Sequence, residues 1–585
     1  MSQLADKRSK TESVSMGIPG LRSQVSPIRL SWLLSAQWSL ALLAFLCCLA
    51  VLFANLRHTG SLSFPVDDGY IYSNYVLSAS QGHFFTYNAG EVSGGITGIG
   101  WYFLCTVAYW LLAPLHDLLG NLATAEVRVD VETARQAGHL YLAAYIPGII
   151  CLALTGIGVY RLALLALPPL NKNGVARNIF CWLLGAAAIA NLGLVWGAMS
   201  GLEAALSTAL SVWAFVFLLR EAREGTLRWS LLLVALLPLA RPDLLAMSGA
   251  AFLWLLWRAF RGPYPSANRV CSFRNVALFL GAVVVGVAVM CGIYYVGWGR
   301  PLASSFYAKV GGLRLGDKFW FAARDLVTSR GVWPIVGGAL AALGGIVQWL
   351  LPSRSKEKAG VQEAADMRET SSAALLLLLV PTVYVVAMML TLPWFGQEER
   401  YILPVYPFAT ILLGLLVWRL LQYVPLDLLR ISVAVRIAGA TAVALVLIAL
   451  VYVWATRLYV VEVRNIRDAH VLPAVWASGN TPPDSIIAAE PIGAIKLFSH
   501  RRTFDIVGLT SPAALGTFRD WPRSWEVMRA NGAGYLFYYP DWFDGGPPAW
   551  AVEVQRFAIP DNRIAGSSII ALYRLDWGRY VPLSP

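Results

Sequence analysis

Long apolar segments separated by short polar loops fill the chain as far as residue 459. The first of them, Trp38–Leu56, has the length that a helix needs to cross ~30 Å of hydrocarbon. After residue 460, short apolar runs alternate with Pro, Gly and polar residues instead. The pattern therefore predicts a flexible cytoplasmic tail (1–36), a membrane-spanning helical part (37–459) and a soluble extracytoplasmic α/β domain (460–585).

The loops between the apolar segments predict how the helices cross the membrane. Five loops are rich in Lys and Arg, as cytoplasmic loops are, and they lie near residues 161–177, 220–228, 258–274, 353–368 and 419–436. With these loops inside, the N-terminus is inside, the C-terminal domain is outside, and the chain makes about eleven crossings. The first outer loop is then 57–138.

This topology depends on two regions. Gly98–Leu115 lies at the membrane surface or re-enters it, and Trp229–Ala240 and Leu244–Trp257 form two short, opposed spans. In the alternative, the first region crosses fully and 229–257 is one bent span, which moves the loop around Glu203 to the cytoplasmic side. We prefer the first topology because it puts every candidate site residue on one side.

The C-terminal domain shows alternating strand and helix patterns. Strands are predicted at 485–490, 503–508 and 535–540, and helices at 492–499 and 525–532. This alternation is typical of a small α/β domain. At ~120 residues, such a domain can bury a core of its own.

Composition supports a membrane protein, since 57% of the residues are hydrophobic and only 14% are charged, against about 25% charged in soluble proteins. The formal net charge is +12, but no basic helix or aromatic–basic motif accompanies it, which argues against nucleic-acid binding. The seven cysteines lie in or beside apolar segments without metal-ligand spacing. A disulfide framework or a zinc site is therefore not expected.

The stretch 64–100 opens with two adjacent carboxylates, Asp67 and Asp68. An aspartate before an apolar run is a good helix N-cap, but capping uses only one of the two. Neighbouring like charges repel, which suits a general base or a divalent-cation site. Tyr70 and Tyr72 follow, and they are candidates for stacking on a sugar or for anchoring at the membrane interface.

Three further charges interrupt apolar sequence. Glu203 lies between two apolar segments, where a carboxylate is costly unless it is paired, interfacial or facing a cavity. Arg241 and Asp243 form a second polar break. They are either substrate-binding groups or a structural ion pair that holds a helix hairpin.

Two more loops carry cations that suit a phosphate. Lys309 stands alone in a polar, aromatic loop, and Arg400 follows Glu398 and Glu399 at a span boundary. A lone cation at such a place is more often an interfacial anchor. Facing a carboxylate pair, the two cations have the donors for a phosphate clamp beside a general base.

Six motifs carry a resemblance to a known family. They occur in the order VDDGYIYSNYVLSASQGHFFTYNAGE (66–91), SGLEAAL (200–206), LARPD (239–243), GRPLASSFYAKVG (299–311), RYILPVYP (400–407) and IGAIKLFSHRRTFDIVGLTSP (492–512). In these motifs the chain resembles the GT-C superfamily of polyprenyl-phosphate-sugar-dependent glycosyltransferases. Within it, the chain is most similar to the bacterial branch that contains the mycobacterial terminal arabinofuranosyltransferase.

The resemblance implies roles for particular residues. It makes Asp67 the catalytic base with Asp68 as its partner, and it puts Lys309 on the donor phosphate, with Arg400 as a second candidate. The chain departs from the family pattern at Leu202 and Ala204, and again at 303–305. These departures concern substrate specificity more than the type of reaction.

The resemblance also implies a function: transfer of one sugar, with inversion, from a polyprenyl-phosphate donor to a cell-envelope glycan. The sugar would be a pentofuranose such as arabinofuranose, and the enzyme would lie in the inner membrane of a bacterium with its site on the outer face, among membrane lipids. A ligase for polyprenyl-linked glycans and a flippase or transporter are the alternatives. Both a metal-free reaction and one that uses a divalent cation fit the carboxylates.

Other polar and aromatic residues are secondary candidates. Trp101 and Trp394 are candidate sugar-stacking surfaces, unless they only anchor the protein at the interface. The outer domain is expected to help hold an acceptor, and its polar candidates are Glu490, His500, Arg501, Arg502 and Asp505.

Overall fold

The computed structural model describes residues 27–115, 129–167, 174–260, 272–309, 319–324, 361–392, 397–421 and 433–580. Most of the predicted N-terminal tail, residues 1–26, lies outside these ranges, as does Trp394. The side chain of Lys309 is also outside the description, although the backbone of this residue is helical.

Helices dominate the part of the chain before residue 480. They are α1 (Pro27–Thr59), α2 (Asp68–Ser80), α3 (Ile99–Leu112), α4 (Val131–Ala166), α5 (Val175–Ile189), α6 (Leu192–Met199), α7 (Ala204–Glu224), α8 (Trp229–Ala240), α9 (Leu245–Phe260), α10 (Phe273–Trp298), α11 (Ser304–Lys309), α12 (Val361–Thr391), α13 (Tyr406–Leu421), α14 (Val433–Trp454), α15 (Val460–Ile466) and α16 (Leu472–Asn480). Two short π-helical segments, Ala455–Tyr459 and Arg467–Val471, join α14, α15 and α16 into one long helical run.

Within the described ranges, eight helices are long and apolar enough to cross a membrane, or nine if α5 and α6, which meet at a bend of 53°, form one span. The first is Ser35–Thr59, which confirms the span predicted at Trp38–Leu56. Two shorter apolar helices, Ile99–Leu115 and Trp229–Ala240, are the regions on which the predicted topology depends. The structure has α8 and α9 as separate helices with Arg241 between them. The chain is thus a polytopic helical membrane protein.

Some helices pack so closely that only glycine fits between them. A Cβ atom on Gly148 of α4 would lie 2.0 Å from the backbone oxygen of Ala198 in α6. A Cβ atom on Gly286 of α10 would lie 2.2 Å from the backbone oxygen of Ala235 in α8. Small residues at such crossings let helix backbones approach inside a membrane, where packing drives association.

The C-terminal domain contains a five-stranded sheet. Its strands are β3 (Ile486–Ala489), β4 (Arg502–Asp505), β5 (Ala533–Tyr538), β6 (Ala551–Ala558) and β7 (Ile569–Leu575), and its helices are α17 (Ile492–Ser499) and α18 (Trp521–Ala530). The strand order is β4-β3-β5-β7-β6. The first three strands are parallel, whereas β7 runs antiparallel to both β5 and β6. The loop predicted as the first outer loop, 57–138, holds a small hairpin of β1 (Thr86–Asn88) and β2 (Glu91–Val92).

Alternation along the strands lets this sheet bury both faces. In β5, Leu536 and Tyr538 pack with Trp525 and Met528 of α18 in a core inside the domain. Phe537, between them, belongs to the core that continues into the membrane part. Successive side chains of a strand point to opposite faces, so one face of the sheet rests on the membrane helices.

The sequence predicted the first half of this domain well. The predicted helix 492–499 coincides with α17, and the strands predicted at 485–490, 503–508 and 535–540 correspond to β3, β4 and β5. The helix predicted at 525–532 begins earlier, at Trp521. The sequence analysis did not predict β6 and β7.

The glycine crossings lead to a stability prediction. Gly148→Ala should lower the free energy of unfolding by about 1–3 kcal/mol, because its methyl group would meet backbone atoms that cannot rotate away. Gly281→Ala in α10 is the matched control, since a Cβ atom there has no neighbour within 4 Å. Thermal unfolding of both variants in detergent checks this, and equal melting temperatures would contradict it.

Candidate active site

Asp67 immediately precedes α2, and its carboxylate points into the C-terminal domain. Oδ2 accepts a hydrogen bond from the backbone N–H of Gly493 at 2.7 Å, and Oδ1 accepts one from that of Ala494 at 3.0 Å. Oδ1 also lies 3.1 Å from Nδ1 of His470. Both N–H groups belong to the first turn of α17, where unpaired donors and the helix dipole favour an anion. Asp67 therefore joins the two parts of the protein.

A glycine makes this contact possible. A Cβ atom on Gly493 would lie 2.4 Å from the backbone oxygen of Asp67 and 2.9 Å from its Oδ2. Two side chains of the first outer loop hold the same turn, since Asn74 donates to the Gly493 oxygen and Tyr87 to the Ile492 oxygen, both at 2.9 Å. The start of α17 is thus fixed against α2.

Asp68, the next residue, faces a different environment. Its side chain is 39% exposed, and its Oδ2 is 2.7 Å from Nη1 of Arg400, whose side chain is 10% exposed. Nη2 of Arg400 donates to the Tyr401 hydroxyl at 3.4 Å. Nε of Arg400 is buried and has no acceptor among the described residues. Asp68 and Arg400 form an ion pair at which one guanidinium donor stays unused.

Arg400 follows a strained turn. Glu398 has φ of 49° and Glu399 has φ of 57°, a left-handed conformation that costs a non-glycine residue about 1–3 kcal/mol. The Glu399 carboxylate accepts a hydrogen bond from Tyr406, and the Glu398 carboxylate accepts one from Arg563. Neither glutamate joins the Asp68–Arg400 pair through these contacts.

A second ion cluster is buried next to this pair. Arg241 donates to Asp243 through Nε and Nη2, both at 2.9 Å, and its Nη1 lies 3.5 Å from Glu203. The two clusters meet at Tyr401, because the guanidinium carbon of Arg241 lies 4.9 Å from the centre of its ring and that of Arg400 lies 5.1 Å from it. Buried charges of this kind are stable only when they are paired.

Two tyrosines complete the buried cluster. The Tyr384 hydroxyl group donates a hydrogen bond to the Asp243 carboxylate. Its oxygen also lies 2.8 Å from the backbone oxygen of Tyr401. The Tyr72 hydroxyl accepts a hydrogen bond from the backbone N–H of Gly98 at 2.8 Å. A Cβ atom on Gly98 would lie 2.7 Å from Cβ of Glu203, so this glycine lets the first outer loop approach the cluster.

The structure brings together Asp68, Glu203, Arg241, Asp243 and Arg400 from four separate stretches of the sequence. Two aromatic candidates, Tyr70 and Trp101, are instead buried in the protein core. Tyr70 is fully buried against Phe64 and bonds to Ser63. Trp101 is also fully buried and donates to the backbone oxygen of Gly201 at 2.8 Å, so neither ring is open to a sugar.

Two of the five polar candidates of the C-terminal domain, Arg501 and Asp505, bond within this domain. Arg501 is buried and donates to the backbone oxygens of Ser478 and Thr481 at the end of α16. Asp505 is buried and accepts from the backbone N–H groups of Val507 and Thr510. Burial raises the pKa of Asp505 to about 6, while these hydrogen bonds act in the opposite direction.

Two others reach the first outer loop. Nε2 of His500 lies 2.8 Å from the Thr133 hydroxyl at the start of α4. Nη2 of Arg502 lies 3.6 Å from the Glu91 carboxylate, and the two side chains are 58% and 26% exposed. Both contacts tie the domain to the membrane part at its rim.

Glu490 follows β3 at the edge of the sheet that faces Asp67 and Asp68. Burial raises its pKa to about 8, and the negative charges of Asp67, Asp505 and Asp68 add to the effect. The carboxyl ends of parallel strands are common binding edges in α/β domains. Glu490 is therefore the C-terminal residue whose charge is coupled to the aspartate pair.

Four residues with contacts in or beside this site were not predicted from the sequence: Tyr384, Tyr401, His470 and Arg563. Tyr401 lies within the quoted motif 400–407, so its neighbourhood was recognised without its role. Tyr384 lies in an apolar span, where a lone tyrosine carries no local signal. Among the described residues, no three His, Cys, Asp or Glu side chains converge as a metal site requires.

The pKa of Glu490 leads to a pH prediction. Its folded-state pKa lies above the unfolded value, so its contribution to stability is present at low pH and is lost as the pH rises towards 8. Glu490→Gln should therefore raise the melting temperature by about 1–3 °C at pH 9 and change it little at pH 5. Thermal unfolding at both pH values checks this, and an equal shift at both would contradict the pKa assignment.

Comparison with known proteins gives one match to the C-terminal domain and several to solved structures over most of the chain. A family model described as a domain of unknown function, DUF8728, matches residues 463–577, which include the whole sheet. No curated protein matches the sequence. ArnT from Cupriavidus metallidurans in the apo state is similar over 92% of this chain and 98% of its own, with 14% identity and a TM-score of 0.48.

A second solved structure is the archaeal oligosaccharyltransferase AglB from Archaeoglobus fulgidus in complex with an inhibitory peptide and a dolichol-phosphate. It is similar over 88% of this chain and 70% of its own, with 12% identity and a TM-score of 0.47. On its own features, the chain is a multi-pass membrane protein whose C-terminal sheet domain rests on a cluster of buried and half-buried charges.

Proposed function

We propose that this protein is a membrane glycosyltransferase that moves one sugar from a polyprenyl-phosphate donor to a glycan acceptor, with inversion at C1. The single observation that carries the proposal is the ion pair of Asp68 and Arg400, 2.7 Å apart and partly exposed. It combines a proton acceptor with a cation suited to phosphate. The six motifs that resemble the GT-C superfamily supply the class of donor.

Arg400 is the proposed ligand of the donor phosphate. A guanidinium offers several donors in a planar fork that matches phosphate oxygens, and Nε of Arg400 has no acceptor among the described residues. A buried unpaired donor is costly and is commonly satisfied by a ligand or water. The family resemblance adds Lys309 as a second phosphate ligand.

Asp68, rather than Asp67, is the proposed general base. Both carboxylate oxygens of Asp67 accept backbone hydrogen bonds from α17, and the side chain is only 11% exposed. These hydrogen bonds occupy both carboxylate oxygens and hold them against α17, so they are not free to meet an acceptor hydroxyl group. Asp68 is more exposed, and it lies in the first turn of a helix that Asp67 holds in place.

The reaction is a single displacement. The acceptor hydroxyl oxygen attacks C1 of the donor sugar from the face opposite the phosphate, while its proton moves to Asp68. The bond between C1 and the phosphate oxygen breaks, and polyprenyl phosphate leaves with the electron pair. Arg400 stabilises the negative charge that develops on this leaving group.

Binding of the donor would also prepare the base. In the free protein Arg400 neutralises Asp68, and a donor phosphate competes for the same guanidinium. When Arg400 turns to the phosphate, the attraction of this cation for the Asp68 carboxylate weakens, and Asp68 accepts a proton more readily. The buried cluster of Glu203, Arg241 and Asp243 holds Tyr401 and thereby sets the range of this movement.

The finer assignments come from the sequence resemblance. The transferred sugar is a pentofuranose such as arabinofuranose, and the acceptor is a cell-envelope glycan that approaches from the outer side of the inner membrane of a bacterium. The C-terminal domain covers this side, and Glu490 at its sheet edge is suited to bind acceptor hydroxyl groups.

The base assignment predicts a difference between two neighbouring variants. Asp68→Asn should reduce transfer by the folded protein at least about 100-fold. Asp67→Asn should lower the free energy of unfolding by about 1–3 kcal/mol, because an amide N–H would face the N–H groups of α17, but the folded fraction should keep activity. Purified protein, a polyprenyl-phosphate pentofuranose and short acceptor glycans provide the assay.

Each alternative outcome has a clear meaning. Turnover by folded Asp68→Asn, together with loss of turnover in folded Asp67→Asn, would return the base role to Asp67. Absence of product from the wild type with every lipid-phosphate sugar would favour a ligase or a flippase instead.

The phosphate assignment predicts a change in donor affinity. Arg400→Gln should raise KM for the lipid-phosphate donor about tenfold or more, because a charge-assisted hydrogen bond to an anion is lost. KM for the acceptor should stay the same. Initial rates over a range of donor concentrations measure this, and an unchanged donor KM would exclude Arg400 as the phosphate ligand.

A further inference from the structure

Arg563 lies in the turn between β6 and β7, and its guanidinium reaches the membrane part. Nη2 donates to Oε1 of Glu398 at 2.6 Å, and Nε donates to Oε1 of Glu462 at 2.8 Å. The side chains of Glu398 and Glu462 are 20% and 2% exposed. One cation therefore bridges the turn before Arg400 and the helix α15.

The position of Arg563 is itself fixed. Its backbone N–H donates to Oδ1 of Asn465 in α15 at 2.8 Å, and Asn465 donates back to the Pro560 oxygen at 3.1 Å. Glu462 accepts a second hydrogen bond from Nε1 of Trp196 at 2.9 Å. The guanidinium is thus anchored to α15 and α6, and Glu398 is the partner that belongs to the turn.

The turn needs an external hold. Glu398 and Glu399 are both left-handed, with φ of 49° and 57°, and a β-carbon disfavours that conformation. The backbone hydrogen bonds that close the turn run from Arg400 to the Gln397 oxygen at 3.2 Å and from Ile402 to the Glu399 oxygen at 2.9 Å. Strained residues of this kind persist where surrounding contacts impose them.

We propose that Arg563 is a positioning residue for Arg400: by holding Glu398, it keeps the 397–402 turn in the conformation that directs the Arg400 guanidinium towards Asp68 and the donor phosphate. The C-terminal domain thereby takes part in donor binding, although Arg563 touches neither substrate. This inference rests on the proposed role of Arg400 in the transferase.

The same domain then positions both members of the pair. Asp68 is directed by Asp67, which is bound to the first turn of α17, and Arg400 is directed by Glu398, which is bound to Arg563. A shift of the C-terminal domain would separate the two charges. The domain therefore assembles the site as well as covering it.

The experiment compares four variants of the full-length protein in detergent. Glu398→Ala removes the clamp at the turn and leaves Arg563 paired with Glu462. Arg563→Met removes the same ion pair by removing its cation. Arg563→Lys keeps a positive charge, but a single ammonium group reaches only one of the two carboxylates at a time. Arg556→Met is the matched control, because Arg556 and Glu553 form an ion pair on β6 with side chains 53% and 34% exposed.

Two measurements are made on each variant. Hydrogen exchange at the amides of Arg400 and Ile402 should become about tenfold faster in Glu398→Ala and Arg563→Met, because the turn opens locally. The donor KM should rise about fivefold or more in both, with Arg563→Lys between them and the wild type, while the acceptor KM stays the same. The control should change neither quantity.

The outcomes separate this inference from the proposed function. Unchanged exchange at Arg400 and Ile402 in both clamp variants would overturn the inference, whether or not the protein is active. Faster exchange with equal rises in donor and acceptor KM would show a general structural role and would also overturn it. If the wild type transfers no sugar, the proposed function fails, and the exchange result still decides whether Arg563 holds the turn.

Discussion

The contact between the Asp67 carboxylate and the first turn of α17 joins the two halves of this protein. A buried carboxylate is costly unless it is hydrogen-bonded, and here two backbone N–H groups and His470 surround it. Gly493 permits the close approach. Because adjacent residues of a helix differ by about 100° in direction, fixing Asp67 against α17 directs Asp68 away from it, towards Arg400.

The sheet of the C-terminal domain makes this docking possible. Leu536 and Tyr538 face a core that belongs to the domain, and Phe537 faces the core shared with the membrane helices. A sheet with only one apolar face would bury the domain's own core and would need another surface for contact with the membrane helices. Here the strand period of two residues supplies both, so the edge of the sheet that carries Glu490 lies over the aspartate pair.

Buried charge explains why the site sits where it does. Arg241, Asp243 and Glu203 lie among apolar helices, where an unpaired charge would be severely destabilising. Pairing and the hydroxyl of Tyr384 stabilise the group. Tyr401 lies between Arg241 and Arg400, so the buried cluster packs beside a neighbouring ion pair that is partly exposed.

The membrane class, the α/β character of the C-terminal domain and the limits of α17 could be predicted from the sequence, because apolar length, strand alternation and helix punctuation are local signals. It also marked most of the charges that the structure groups together. The antiparallel β6 and β7 were missed. The docking of Asp67 on α17, which leaves Asp68 to pair with Arg400, and the link from Arg563 to Glu398 depend on the tertiary structure. Those contacts join residues 426 and 165 positions apart, and no local pattern encodes which neighbour a side chain will meet.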